Sequence, residues 1–178
     1  MDLGVVSVRY ARALLKSAVA AKLDTQVYAD MQMLAASYIN VPQLRFTIDN
    51  PMLDKSQKQQ LLETASGTKP CQLTQRFLQL VLAEGRENAL QLMANSYVTL
   101  YRQQKNITRG RLITATAVLP ETEAKMKQMV ETKTQGTVEF ETEVNPDLIG
   151  GFVLEYDTYR MDASVKTKLN TILNQLRK

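Results

Sequence analysis

The hydrophobic period changes once along this chain, near residue 106, and that change limits the fold more than any other feature. Before it, apolar residues recur every three or four positions in six successive stretches; after it, β-branched residues alternate with polar ones. Such a chain is neither all-helical nor all-β. It reads as α+β: an N-terminal six-helix bundle over residues 1–105, then a small strand-helix-strand-strand-helix domain over residues 106–178, with the boundary between Asn106 and Gly110. A length of 178 residues accommodates two small domains.

Val5 to Ala21 reads as the first helix. Val6, Tyr10, Ala13, Leu14, Ser17 and Ala21 share one side, and Val8, Ala11, Leu15, Ala18 and Val19 adjoin it, which leaves only Arg9, Arg12 and Lys16 as a solvated stripe. An arc this wide fits two arrangements: a helix at the centre of the bundle, or one whose surplus forms a groove for a partner helix at three- and four-residue spacing. Asp24 is expected to cap the second helix, which Val41-Pro42 stops. A short segment from Pro42 to Ile48 follows, and Asp54 and Ser56 start the next helix. Leu73 to Glu84 ends at Gly85, and Glu87 to Lys105 presents Leu90, Met93, Ala94, Tyr97, Leu100 and Tyr101 on one face.

In the second half, Arg111 to Val118 is a strand by composition, and Pro120 with Glu121 and Glu123 opens a helix that Gln135-Gly136 ends. Val138, Phe140, Thr142 and Val144 alternate with Glu139, Glu141 and Glu143, the pattern of a half-buried strand. Leu148 to Tyr156 is a third strand containing Gly150-Gly151, and Asp157 to Arg160 a turn. Asp162 or Ser164 caps a terminal helix bearing Val165, Leu169, Ile172, Leu173 and Leu176, with Arg177-Lys178 suiting its negative end.

Composition removes several function classes. There is no histidine and a single cysteine, so a Ser-His-Asp triad, a zinc finger and a disulfide framework all lack their residues. No leader pattern and no apolar run of membrane-spanning length stands out; the chain reads as soluble, intracellular and in a reducing compartment. Residues 1–105 carry 12 basic and 8 acidic side chains and residues 106–178 ten of each, for a net charge of +4. That is too little concentrated positive charge for nonspecific nucleic-acid binding, and favours a protein partner for the basic half.

The motifs with chemical overtones have plainer readings. Gly150-Gly151 has no further glycine or Lys-Ser/Thr around it and marks a bulge or close backbone approach, not a phosphate loop. Glu139, Glu141 and Glu143 make a solvated strand face, open to a basic partner, rather than a metal site. Asp162 and Ser164 lack a neighbouring base and read as helix caps. Cys71 is incidental, and Met31, Met33 and Met93 are adaptable packing.

Four segments together resemble a known family. VRYARALLKSAV (Val8 to Val19), FLQLVLAEGRENALQLMANSYVTLY (Phe77 to Tyr101), RGRLITATAVLPETE (Arg109 to Glu123) and NPDLIGGFVLEYDTYRMDASVKTKL (Asn145 to Leu169) resemble, in order and spacing, the delta subunit of bacterial F-type ATP synthase, whose mitochondrial counterpart is the oligomycin-sensitivity-conferring protein. The last segment carries the family's Pro, apolar pair, Gly-Gly, strand and Asp-x-Ser, with Ala163 where glycine is common.

The resemblance implies a non-catalytic connector of the peripheral stalk, without cofactor or metal. It would hold the catalytic head to the membrane-anchored b-subunit stator so that proton-driven rotation is coupled to ATP synthesis. It implies that the first domain binds N-terminal segments of the alpha subunits in a groove of its first and fifth helices. Tyr10, Ala13 and Leu14, with Leu78 and Val81, are the anchors expected on those two helices, and Tyr10→Ala or Val81→Asp is expected to weaken binding while the fold survives. The second domain would grip the C-terminal end of the b stalk, with Gly150, Gly151, Asp162 and Ser164 as its structural motif. One copy would sit peripherally at the cytoplasmic face of the bacterial inner membrane, with no membrane insertion and no nucleic acid. The competing reading is a small helical adaptor for nucleic acid or another protein.

Overall fold

The structure is a computed structural model that describes residues 3–134, 136–156 and 158–176. The chain divides into two compact units, Met1–Gln103 and Gln104–Lys178. Gln135, Asp157, Arg177 and Lys178, to which sequence reading assigns a helix stop, a turn and a helix end, lie outside the described residues.

The first unit is helical: α1 (Leu3–Ala20), α2 (Asp24–Asn40), α3 (Pro42–Asp49), α4 (Lys55–Ser66), α5 (Gln72–Ala83), a 3-10 turn (Glu87–Ala89) and α6 (Leu90–Lys105). Its largest fully buried side chains include Met31, Leu34, Ile48, Leu62, Leu78, Leu90, Met93 and Tyr97. Lys22 adopts a left-handed conformation after α1, which lets the Leu23 amide donate back to the Ala18 carbonyl at 2.9 Å. Pro42, at the first turn of α3, blocks continuation of α2 where the sequence requires it. Asp24 does not cap α2: Leu23 holds the cap position, and Asp24 lies in the first turn, where its charge favours the positive helix end. Asp54 does hold the cap position of α4 and accepts the Ser56 hydroxyl.

The N-terminus of α5 is capped across space. Cys71 precedes it and offers no capping side chain, but Asp30 of α2 accepts the Cys71 amide at 2.8 Å and the Thr74 hydroxyl at 2.6 Å. Three tyrosines join α2 to α6: the rings of Tyr28 and Tyr101 stack at 4.2 Å, Tyr97 lies beyond Tyr101 at 6.4 Å, and Arg102 Nε donates to Tyr28 Oη at 2.9 Å. Lys58 is buried against Glu87 at 2.9 Å. Burial pushes the Glu87 carboxyl up, but the Lys58 hydrogen bond and charge outweigh it and leave the group below its ordinary range.

The second unit contains β1 (Ile107–Thr114), α7 (Pro120–Thr134), β2 (Thr137–Val144), a 3-10 turn (Pro146–Leu148), β3 (Phe152–Tyr156), β4 (Tyr159–Asp162) and α8 (Val165–Leu176). The sheet order is β2-β1-β3-β4, with β1 parallel to β2 and both other pairings antiparallel. Leu112, Val130, Val138 and Leu154 form its core, surrounded by Met126, Phe140, Phe152 and Tyr156.

The fold is α+β, with three departures from the expected strands. β1 starts and stops four residues earlier than Arg111 to Val118, because its ladder partners end at Val144 and Phe152 and leave residues 115–118 nothing to pair with. Its exposed Arg109 and Arg111 are accommodated by ion pairs with Glu141 and Glu143. The third strand begins at Phe152 instead of Leu148, since Ile149 and Gly151 take positive φ and break the extended run. Tyr159 to Asp162, in part expected to be a turn, is a fourth strand paired with β3, so the order is strand-helix-strand-strand-strand-helix. All four of its residues are exposed, and the alternation of Tyr159 and Met161 with Arg160 and Asp162 spans only four positions, too short to mark a strand.

Candidate partner-binding surfaces

Two helices of the first unit meet through an aromatic contact. Tyr10 of α1 approaches Phe77 of α5 edge-on, with ring centroids 6.5 Å apart, and the Arg86 guanidinium lies 5.4 Å from the centre of the Tyr10 ring. Tyr10 is half-buried and Ala13 exposed. Leu14 is only 5% exposed and Leu78 and Val81 are 0% exposed, which corrects the expectation that these three are surface anchors: they belong to the core beneath the seam. Val81→Asp would put a carboxylate into that core, so the expectation that the fold survives this change is also withdrawn.

The reason lies in which arc of each helix packs. α1 buries Val6, Ser7, Ala11, Leu14, Leu15 and Ala18, which leaves Leu3, Val5, Val8 and Val19 exposed on a helix that is therefore not enclosed by the bundle. α5 buries Thr74, Phe77, Leu78, Val81 and Leu82, which leaves Leu73 half-buried and Arg76, Leu80 and Ala83 outside. Leu80, 50% exposed, was missed as a surface residue; the 73-76-80-83 spacing was the available signal. All ionisable side chains of α1 and α5 outside tyrosine are basic: Arg9, Arg12, Lys16 and Arg76.

A further concavity of about 590 Å³ lies between α2, α3 and α4, lined by Val41, Leu44, Leu53 and Leu61 with Gln57 and Gln60, and no ionisable group lines it.

In the second unit, Gly150, Gly151, Asp162 and Ser164 come together at the start of α8. Val165 donates its amide to the Gly150 carbonyl at 2.9 Å, and a Cβ on Gly150 would stand 3.0 Å from Val165 Cγ2. Gly151 takes φ 76°, and a Cβ there would run into the Ala163 carbonyl. The pair therefore precedes β3, and close approach is the reason for it. Ser164, fully buried, caps α8 by accepting the Thr167 amide at 3.3 Å. Asp162 accepts the Ser164 amide at 2.9 Å and the Thr167 hydroxyl at 3.0 Å. Hydrogen bonds from Ser164, with Thr167 and Arg160 in support, hold the Asp162 carboxyl below its ordinary range. Of the two residues the sequence offers as the cap, Ser164 takes the role and Asp162 supports it from outside the helix.

The outer face of the sheet differs from the open acidic surface expected. In register, Glu141, Arg111, Glu155 and Arg160 form a row of alternating charge across all four strands. Glu141 and Glu143 are engaged by Arg109 and Arg111, and Glu155 by Arg160 at 3.2 Å.

The features these surfaces present are apolar stripes and helix caps. Residues 6–176 match the family model for the ATP synthase delta (OSCP) subunit. The chain belongs to this family. It is 43% identical over 176 residues to the ATP synthase subunit delta of Phocaeicola vulgatus, covering 98% of this chain and 95% of that one. Against the subunit of the same name from Parabacteroides distasonis the identity is 42% over 172 residues, covering 97% and 96%. The fold is shared with a chain in the cryo-EM structure of the Toxoplasma gondii mitochondrial ATP synthase hexamer, with a TM-score of 0.64, 21% identity and 97% coverage of both chains. The Gly-Gly and Asp-x-Ser elements of this delta/OSCP-family chain thus form one clasp at a helix start. Among the described residues no helix is long and apolar enough to cross a membrane.

Proposed function

We propose that this chain is the non-catalytic connector of the peripheral stalk in an F-type ATP synthase, holding the catalytic head to the membrane-anchored b-subunit stator. Its membership of the delta/OSCP family along nearly the whole chain carries the reading. The task is mechanical. Proton flow turns a rotor inside the head, the reaction torque would turn the head with it, and synthesis requires that the head be held.

In this reading the first unit is a six-helix bundle that takes N-terminal helical segments of the alpha subunits along α1 and α5. Tyr10, Ala13 and Leu80 touch the partner, while Leu14, Leu78 and Val81 support the floor from within. The half-buried Tyr10 ring, with an aromatic on one side and a guanidinium on the other, supports an anchor role. The second unit takes the C-terminal end of the b stalk, and one copy sits peripherally at the cytoplasmic face of the bacterial inner membrane.

A connector needs a slow off-rate instead of a reactive group. A nanomolar complex corresponds to about −12 kcal/mol, within reach of an interface of about 800 Å² per partner with a few well-packed anchors. The test is a deletion strain: its membranes should lose the head on washing and fail to couple proton flow to phosphorylation. Firm attachment of the head with normal phosphorylation yield would refute the proposal.

A further inference from the structure

Lys58 is the only charged side chain buried among the described residues, at 4% exposure. It belongs to α4, which takes no part in the groove read along α1 and α5. Its ammonium donates to Glu87 Oε1 at 2.9 Å, while the Glu87 side chain keeps a part of its surface open to water. A buried ion pair is a poor source of stability, because desolvation of both charges cancels most of their attraction. Apolar side chains of similar volume would pack α4 against its neighbours as well or better. The pair is therefore explained by what it fixes in place.

What it fixes is the turn between α5 and α6. α5 closes at Gly85, with φ 61°, and the Arg86 amide donates back to the Val81 carbonyl at 3.0 Å. α4 grips this turn on both sides of Arg86: Lys55 Nζ donates to the Ala83 carbonyl at 3.3 Å, and Lys58 holds Glu87. Arg86 stands between these two ties. Its guanidinium lies over the Tyr10 ring and, among the described residues, makes no ion pair of its own. An arginine held only by an aromatic face keeps its place if its backbone is fixed, since the rotamer freedom of the side chain opposes the contact.

We propose that Lys58 and Glu87 are positioning residues of the alpha-subunit groove: their ion pair fixes the α5–α6 turn so that Arg86 stays over Tyr10 and presents the ring to the partner helix. The inference rests on the reading that Tyr10 anchors an alpha-subunit segment, and extends that site to a helix outside it.

The test uses the full chain and a peptide of the alpha-subunit N-terminal segment from the same organism. Lys58→Met with Glu87→Met replaces the pair by unbranched apolar side chains and should leave the unfolding midpoint unchanged or raised. Affinity for the peptide should nevertheless fall about two- to fivefold, the worth of an exposed cation–π contact. The Tyr10 ring signals, in NMR spectra of tyrosine-labelled chain assigned through Tyr10→Phe, should move toward their positions in Arg86→Met. Adding Arg86→Met to the neutral pair should cost no further affinity, because both changes remove one contact. Should the double variant not fold, Lys58→Met alone, which lets Glu87 turn to solvent, is read in the same way.

Wild-type affinity in the neutral-pair variant overturns the inference and leaves the groove reading standing. So does a loss of affinity with the Tyr10 signals in place, or one matched by a lowered unfolding midpoint in both variants: the pair is then structural only. If the wild-type chain binds no peptide, the groove reading falls. Movement of the Tyr10 signals in the neutral-pair variant then upholds the positioning of Arg86 alone, and unmoved signals overturn that as well.

Discussion

Tyr10 stands between Phe77 and Arg86 with part of its ring open to solvent, so its removal separates binding from folding. Tyr10→Ala should weaken binding of an alpha-subunit N-terminal peptide by about 1–2 kcal/mol, roughly 5- to 30-fold, with the fold intact. Titration of the purified chain checks it; wild-type affinity would remove Tyr10 from the site. Val81 offers the contrast, since its buried side chain makes Val81→Asp a folding lesion of several kcal/mol, visible as loss of the cooperative transition. Asp30 acts at a distance from its own helix. Asp30→Ala removes the acceptor for Cys71 and Thr74 and should cost about 1–2 kcal/mol in denaturant titration, with faster amide exchange at the start of α5.

At the scale of elements, α5 and α8 show how anchoring differs. α5 is capped from α2 and buries five side chains, whereas α8 buries none and depends on the clasp at its first turn. The Asp162 carboxyl is held below its ordinary value of 3.8, so its contribution is present in full above that value and is lost as pH falls through the depressed one. Asp162→Asn should therefore speed amide exchange in the first turn of α8 at neutral pH, and acid should do the same to the wild-type chain. An acid response unchanged by the substitution would place its origin in another group. The row of alternating charges on the sheet makes a smaller contribution, because exposed ion pairs are worth about 0–1 kcal/mol each.

At the scale of the whole molecule, division into two units predicts separable attachments. A chain ending at Lys105 keeps α1 to α6 and should still bind the alpha-subunit peptide, while losing the b stalk. Retention of the stalk by the shortened chain, in a pull-down from solubilised membranes, would contradict the division of labour.

The order of helices and strands was legible in the sequence wherever one face had to be dry, because burial imposes a period. α1 to α6, α7 and β2 follow that rule; α8 carries the same period although its apolar stripe is exposed, and the Ser164 cap follows from the chemistry of a helix start. β4 was illegible because four residues, Tyr159 to Asp162, are too few for their alternation to stand out from a turn, and the ends of β1 because pairing partners, not composition, set them. The same limit governs the surfaces. Periodicity states that α1 and α5 have apolar arcs too wide for one contact, but only packing decides that Leu14, Leu78 and Val81 turn inward and Leu80 outward. Likewise, Asp30 and Cys71 lie 41 residues apart, and no local rule joins them until the fold brings a carboxylate to an uncapped helix. Local chemistry thus determined which elements form and where several begin; tertiary contact, which depends on which neighbours arrive, decided the face each one keeps for a partner.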